Sequence, residues 1–340
     1  MKKRIALFLA VLMLCLTACE SVANTPETTT KPLNTQSPEE EKVMRILNIS
    51  NSHGQDSVWL LPLVLKAQMP EQEIYVAELY QAYALPEHVE SAKNSGNDYI
   101  YYTSDNGALW TKMEGVSIKM ALNQQRWDII MFNESSRYLG LESVMSQGLI
   151  DWFRGYILEN LDYEPILLYN MTWANPTDEG FYTDGSRQAP PAGYKAKYTE
   201  DYGFDRVNHY NKLVELTKKY LVNDTDFAEI IYNATPVQYA TNVLKVPEYD
   251  VNQVYDTYRD YTHLSDFARL IVAYNWYCQV FDVEAISEVK VDVIPWSMRA
   301  PWGYRHQKLG DLTLTQQHKD VLLESVNYGL QHPLEMPAAE

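Results

Sequence analysis

Apolar positions along the chain gather into short undivided runs, separated by stretches whose apolar residues recur at helical spacing. Residues 43–49 (VMRILNI) form the first compact run of strand length. Residues 73–77 (EIYVA), 127–132 (WDIIMF), 165–169 (PILLY) and 227–232 (FAEIIY) repeat the pattern, which predicts five strands. Helices are expected over residues 58–67, 116–122, 141–161, 208–221, 265–280 and 315–330. Asp56 or Ser57 is the expected N-cap of the first, and Ser265 or Asp266 of the fifth. Pro62 fits the first helix only in its opening turn or at a kink. Alternating strands and helices, with strands apolar on both faces, predict an α/β protein. The expected form is a three-layer α/β/α sandwich around a five-stranded parallel sheet.

Such sheets bind ligands outside the carboxyl ends of their strands. Ser52 follows the first expected strand and Asn133 the third. Thr172 and Trp173 follow the fourth, and Asn233 and Thr235 the fifth. His263 stands just before a helix. Loop residues are polar in any protein, so part of this convergence is automatic. The chemistry adds weight to it. A serine hydroxyl is a weak nucleophile until a histidine takes its proton, and a carboxylate must hold that histidine in the right tautomer. Asp260-Tyr-Thr-His263 supplies a carboxylate and an imidazole three residues apart. Asp-x-x-His is common by chance and gains meaning from its placement opposite Ser52.

The first residues read as a targeting segment. Lys2, Lys3 and Arg4 precede an apolar stretch from Ile5 to Leu16, too short for a comfortable membrane span. Leu16-Thr-Ala-Cys19 resembles a bacterial lipobox, which implies a signal peptide over residues 1–18 and a lipid on Cys19. Residues 19–42 hold almost no large apolar side chain and read as a disordered tether. A folded domain is expected over residues 43–333, with a C-terminal tail at 334–340. The implied location is outside the cytoplasm, on a bacterial membrane. Beyond Cys15 and Cys19 only Cys278 remains, so the mature chain has no internal disulfide; its apolar helical setting predicts a buried, inert thiol.

The formal charge is −17, and removal of the basic leader residues takes it to about −20, which argues against nucleic acid as a partner. Twenty-six tyrosines and eight tryptophans suit core and rim packing, and some are expected to line a sugar-binding cleft. Residues 172–205 form a long irregular stretch that reads as a lid or subsite wall. Residues 292–310, with Trp296, Arg299, Trp302 and Arg305, form another loop that covers the cleft or packs on the surface. His53 and His88 are candidates for substrate contact, or are satisfied structural histidines. His306, His318 and His332 read as surface residues. Asp56 reads as a helix cap. No residue set has metal-ligand spacing and no Gly-rich phosphate loop occurs, so neither a metal nor a cofactor is expected.

Ile46-Leu-Asn-Ile-Ser-Asn-Ser52 resembles the first block of the SGNH/GDSL hydrolases, in which the nucleophile ends a Gly-Asp/Asn-Ser tripeptide. Over about residues 45–333 the chain looks like a bacterial domain-of-unknown-function family within that superfamily, in lipoprotein form. Met171-Thr-Trp-Ala174 and Arg259-Asp-Tyr-Thr-His-Leu-Ser265 are the specific pieces; Leu85-Pro-Glu-His88, Trp127-Asp-Ile-Ile and Trp276-Tyr277 are weaker. The resemblance implies the flavodoxin-like SGNH fold, Ser52 as nucleophile, His263 as base and Asp260 as its orienting carboxylate. It implies Asn133 and the Ser52 N–H as oxyanion donors. Three departures stand out. Ser50 replaces the usual glycine, His53 follows the nucleophile where an aromatic is usual, and residues 80–85 (YQAYAL) lack the glycine whose N–H completes the oxyanion hole.

The expected function is a surface-anchored serine esterase that removes acyl, above all acetyl, groups from a glycan through a Ser52 acyl-enzyme. Trp173, Thr172, His53 and His88 are the expected substrate contacts. The partners expected are that ester substrate and the membrane through the lipid alone, with a monomeric body. The alternative is a glycan-binding lipoprotein on a degenerate hydrolase scaffold.

Overall fold

The computed structural model describes residues 43–136, 138–176, 205–224, 227, 229–248, 255–260, 262–299 and 310–337. The leader, the tether with Cys19, most of the expected lid and the loop positions Trp302, Arg305 and His306 lie outside these residues.

In chain order the elements are β1 (Val43–Ser50), α1 (Ser52–Val58), α2 (Leu61–Gln68), β2 (Glu73–Tyr80), α3 (Leu85–Lys93), β3 (Tyr99–Asp105), β4 (Thr111–Val116), α4 (Ile118–Leu122) and β5 (Ile129–Phe132). There follow α5 (Glu142–Met145), α6 (Leu149–Glu159), β6 (Ile166–Met171), α7 (Arg206–Tyr220), β7 (Glu229–Tyr232), α8 (Ala234–Asn242) and α9 (Asp266–Val280). A two-residue pair β8 (Val293–Ile294) and β9 (Leu312–Thr313) precedes the last helix, α10 (Gln316–Gln331).

Among the described residues the main sheet has seven strands in the order β4-β3-β2-β1-β5-β6-β7. The five expected strands are all present and all parallel. The sheet is larger than predicted because β3 and β4 add an antiparallel hairpin to the outer edge of β2. Asn106 (φ 51°) and Gly107 (φ 77°) begin the turn of that hairpin in the left-handed region. β3 (YIYYTSD) is rich in Tyr and ends in polar residues, and β4 (TKMEGV) is exposed until its last residue, so neither carries an undivided apolar run.

Side chains alternate across the sheet. Leu47 and Ile49 of β1, Ala77 and Leu79 of β2, and Ile130 and Phe132 of β5 pack against α3, α4, α6 and α7. Ile46, Val76, Ile129 and Met131 face the opposite layer, where α1, α2 and α9 lie. The helix expected over residues 58–67 starts at Leu61, and a separate helix, α1, runs before it. Asp56 is therefore inside α1 and not a cap; Asn51 caps α1, its side chain accepting the His53 N–H. Pro62 sits in the first turn of α2, where its missing N–H costs nothing. The stretch 141–161 divides at Gly148, whose φ of 66° turns the chain between α5 and α6. Ser265 and Thr315 cap α9 and α10 through their hydroxyls. Cys278 is buried in α9, and burial pushes its thiol up to about 12. Leu334 and Met336, read from sequence as tail, pack on the core. No helix among the described residues is long and apolar enough to cross a membrane.

Candidate active site

Ser52 is the first residue of α1, half-buried at the carboxyl end of β1. The helix begins there because Asn51 is well placed on both sides of its amide. Its Oδ1 takes the His53 N–H at 3.1 Å, and its Nδ2 donates to the Tyr83 carbonyl at 3.0 Å.

Asp260 and His263 meet in a tight loop closed by an antiparallel bridge between Tyr258 and Leu264. Asp260 Oδ1 accepts the backbone N–H groups of Thr262 (2.9 Å) and His263 (2.8 Å), so its side chain folds the loop around itself. Its Oδ2 lies 2.8 Å from His263 Nδ1. A carboxylate only accepts, so Nδ1 carries a hydrogen and donates it; in the neutral ring that leaves the lone pair on Nε2. Burial opposes the charge on Asp260, but His263 and Arg259 outweigh it and hold the carboxyl well below the usual carboxylate range. Both side chains remain partly exposed, at 26% and 20%. No hydrogen bond joins Ser52 to His263 among the described residues. Their neighbourhood is fixed through His53, whose ring centre is 5.9 Å from that of His263, edge to face.

This loop is fastened to α1 from below. Asp56, one turn beyond Ser52, accepts the Leu264 N–H at 2.9 Å and two contacts from Arg259, at 2.7 and 2.8 Å. Arg269 of α9 reaches the same carboxylate through Nε at 2.8 Å and through Nη2. Asp266 continues the chain, taking Arg269 at 3.1 Å and Arg299 at 2.7 Å. Burial works against the Asp56 charge, yet Arg259 and Arg269 hold its pKa below the ordinary value. A second fastening runs through Thr262. Its carbonyl accepts Trp173 Nε1 (2.8 Å) and lies 3.0 Å from His53 Nε2, while its hydroxyl donates to Asn175 (2.7 Å).

Three expected substrate contacts are internal. Trp173 is fully buried against Tyr258 and Leu264, so it is a pin for the loop and not an open sugar platform. His53 is fully buried, with its ring 4.7 Å from Trp173; burial, with His263 beside it, takes its pKa down to about 3. Its Nε2 must be the donor, since the Thr262 carbonyl accepts, and its Nδ1 has no partner. Thr172 is buried with an unpartnered hydroxyl. His88 lies in another place altogether, inside the opposite layer, stacked on Tyr99 and 2.8 Å from its hydroxyl, with Phe153 beyond.

The oxyanion side differs from the expectation most. Asn133 does lie beside α1 at the end of β5, but both its amide hydrogens are in use, donated to Asn51 Oδ1 (3.0 Å) and the Glu134 carbonyl (2.7 Å). Its Oδ1 faces Gly54, where a Cβ would come within 2.2 Å of it and 2.3 Å of Ser50 Cβ. The second block is equally committed. The N–H of Gln81 goes to the Ser50 carbonyl, Ala82 to the Gln81 side chain, Tyr83 to the Gln81 carbonyl, Ala84 to Glu87 and Leu85 to Glu134. Of the proposed donors, the Ser52 N–H remains, one of the first-turn groups no helix carbonyl can reach.

Sequence reading missed Asp56, Arg269 and Glu78 as parts of this region. Two of these are charges inside apolar runs: Arg269 in DFARLIVAY and Glu78 in EIYVAELY. Charges almost never sit fully buried without partners, so that pattern was the available signal.

No family model matches the sequence, and no curated protein matches it. The fold is shared with the crystal structure of a DUF4886 family protein from Bacteroides uniformis, at 19% identity over 87% of this chain and 97% of that one, with a TM-score of 0.65. A protein from Slackia heliotrinireducens proposed to be an SGNH hydrolase aligns over 68% of this chain and 96% of its own, at 15% identity and a TM-score of 0.38. The first likeness establishes the architecture; the second is too distant to add to it.

Proposed function

We propose that the chain is a serine ester hydrolase of the SGNH type, with Ser52 as nucleophile, His263 as base and Asp260 as the carboxylate that orients it. The observation that carries this reading is the Asp260–His263 pair, with Nδ1 bound, no partner on Nε2 among the described residues, and the loop tied through Asp56 to the helix that starts at Ser52. Nε2 would take the Ser52 proton as Oγ attacks an ester carbonyl, then return it to the leaving alcohol. Water would release the acyl group by the same route in reverse. Hydrolases often close the serine–histidine bond only in the reacting complex, so this reading does not require a Ser52–His263 bond beforehand.

An acetylated glycan outside the cell is the proposed substrate, and a lipid on Cys19 the proposed anchor. Their support is the lipobox-like leader and the aromatic-rich composition. The second reading, a glycan-binding protein on a catalytically degenerate scaffold, is favoured by the committed N–H groups of Asn133 and residues 81–85. Missing one oxyanion donor typically costs about 100-fold or more in rate.

A fluorophosphonate probe separates the two. Labelling that disappears in both Ser52→Ala and His263→Ala is the expected result. A folded wild-type protein that does not label would transfer the case to the binding protein, to be pursued on glycan arrays.

A further inference from the structure

The Ser50 hydroxyl has one hydrogen and two acceptors. Its Oγ lies 3.0 Å from the Asn51 carbonyl oxygen and 2.5 Å from Glu78 Oε1. A carbonyl oxygen only accepts, and so does an ionised carboxylate. With Glu78 charged, one of the two contacts sets lone pairs against each other. With Glu78 protonated, both close: the carboxylic acid donates to Ser50 Oγ, and Ser50 donates to the Asn51 carbonyl. Glu78 Oε2 stays an acceptor for Asn48 Nδ2 at 2.5 Å.

The surroundings agree with a neutral acid. Glu78 is fully buried on β2, paired with Asn48 of β1 and Tyr102 of β3. The ionisable groups near it are the Asp56 carboxylate of α1, the Tyr80 phenol of its own strand and the Tyr102 phenol of β3. The cations that act on those two phenols are Arg259, whose guanidinium bonds Asp56 and the Leu264 carbonyl, on Tyr80 and Lys112, paired with Glu114, on Tyr102. Burial raises the Glu78 pKa to about 8, with the Ser50 and Asn48 contacts opposing only part of that rise.

The Ser50–Asn51 turn is where α1 begins. The Asn51 carbonyl also accepts the Gln55 N–H at 2.9 Å, and Ser50 lies directly under Gly54, where a Cβ would fall 2.3 Å from the Ser50 Cβ. We propose that Glu78 is a positioning residue for Ser52: as a neutral carboxylic acid it donates to Ser50 Oγ and fixes the turn from which the helix bearing Ser52 starts. The kinetic side of this inference rests on the reading of Ser52 as the nucleophile; the protonation state of Glu78 does not.

The experiment compares full-length wild type, Glu78→Gln and Glu78→Ala by thermal unfolding between about pH 5 and pH 9, and by fluorophosphonate labelling over the same range. Glutamine keeps both hydrogen bonds without an ionisable proton. Because the folded pKa of Glu78 is raised, its contribution is complete below the ordinary value of 4.5 and is lost as pH climbs to about 8. Relative to Glu78→Gln, wild type should therefore lose melting temperature across that interval. Near pH 6, Glu78→Gln should label within about threefold of wild type and Glu78→Ala at least ~10-fold more slowly, with the ratio of Glu78→Gln to wild type rising with pH. Melting curves for wild type and Glu78→Gln that stay parallel across the range, or a Glu78→Gln as unstable as Glu78→Ala, would overturn the proposal. If wild type never labels, the nucleophile reading fails on its own, and the melting comparison still decides whether Glu78 is the neutral donor.

Discussion

The loop that carries His263 and the strand ends that face Ser52 treat their polar groups in opposite ways. The loop spends its internal bonds on holding one ring nitrogen open: Asp260 fills Nδ1, while Asp56, Trp173 and His53 fasten the backbone on either side. The strand ends spend theirs on one another, so Asn133 and residues 81–85 have no N–H left to offer. A base needs a rigid mount, and the loop gives the His263 ring one. An oxyanion hole needs rigid donors without partners, and the facing side has traded that for internal closure. Activity in this chain would therefore depend on the Ser52 N–H, or on a ligand able to displace one of the Asn133 bonds.

The sharpest break in this comparison is on the base side. Ser52→Ala and His263→Ala should each lower probe labelling by about 1,000-fold or more, read by the rate of covalent modification. Asp56→Ala comes next. It leaves Arg259 and Arg269 buried with their shared carboxylate gone, and should cost about 3–5 kcal/mol in denaturant unfolding. Gly54→Ala tests the facing side: the added Cβ collides with Asn133 and Ser50, and should cost about 1–3 kcal/mol while labelling also falls. Trp173→Phe deletes the bond to Thr262 and shrinks a fully buried ring; about 1–3 kcal/mol of stability is expected to go, with a visible slowing of labelling. His88→Phe should leave labelling within about twofold of wild type, since His88 sits in the opposite layer.

Acid reaches the base side by an indirect route. His209 is buried and neutral, its pKa lowered by burial to about 3, and its Nδ1 accepts the Asn175 N–H at 3.0 Å. Asn175 in turn holds the Thr262 hydroxyl. Both His53 and His209 have folded pKa values below the ordinary 6.5, so the unfolded chain binds the extra protons. Their contribution is complete above that value and is lost as pH falls from 6.5 toward 3. A melting curve for His209→Gln should be flatter than wild type over that interval.

The parallel half of the fold was legible because β1, β2, β5, β6 and β7 are buried on both faces and hence nearly continuous in apolar residues. The hairpin was not, because five of the six β4 residues face solvent. Helix α1 (SHGQDSV) was missed for a different reason: it has no apolar face, yet it is buried on a layer of polar strand ends, where hydrogen bonds replace apolar packing. The meeting of Asp260 and His263 could be expected from residue type and spacing. The part played by Asp56 could not, because it depends on arginines more than 200 positions away arriving at one carboxylate. Asn133 was found in the expected place; what its hydrogens do is set by Asn51 and Glu134, which no spacing rule reveals.

The β3–β4 hairpin also changes how this molecule meets its neighbours. A parallel sheet that stopped at β2 would end in a long straight apolar strand, a template on which another chain could add its own. The hairpin moves the border outward to a strand that carries Lys112 and Glu114, and bends it with a register shift at Tyr99 and a left-handed Gly115. Charge and curvature at a sheet margin are a defence against fibril-like stacking. In a protein that stood crowded on a surface, that margin would help to keep adjacent copies separate.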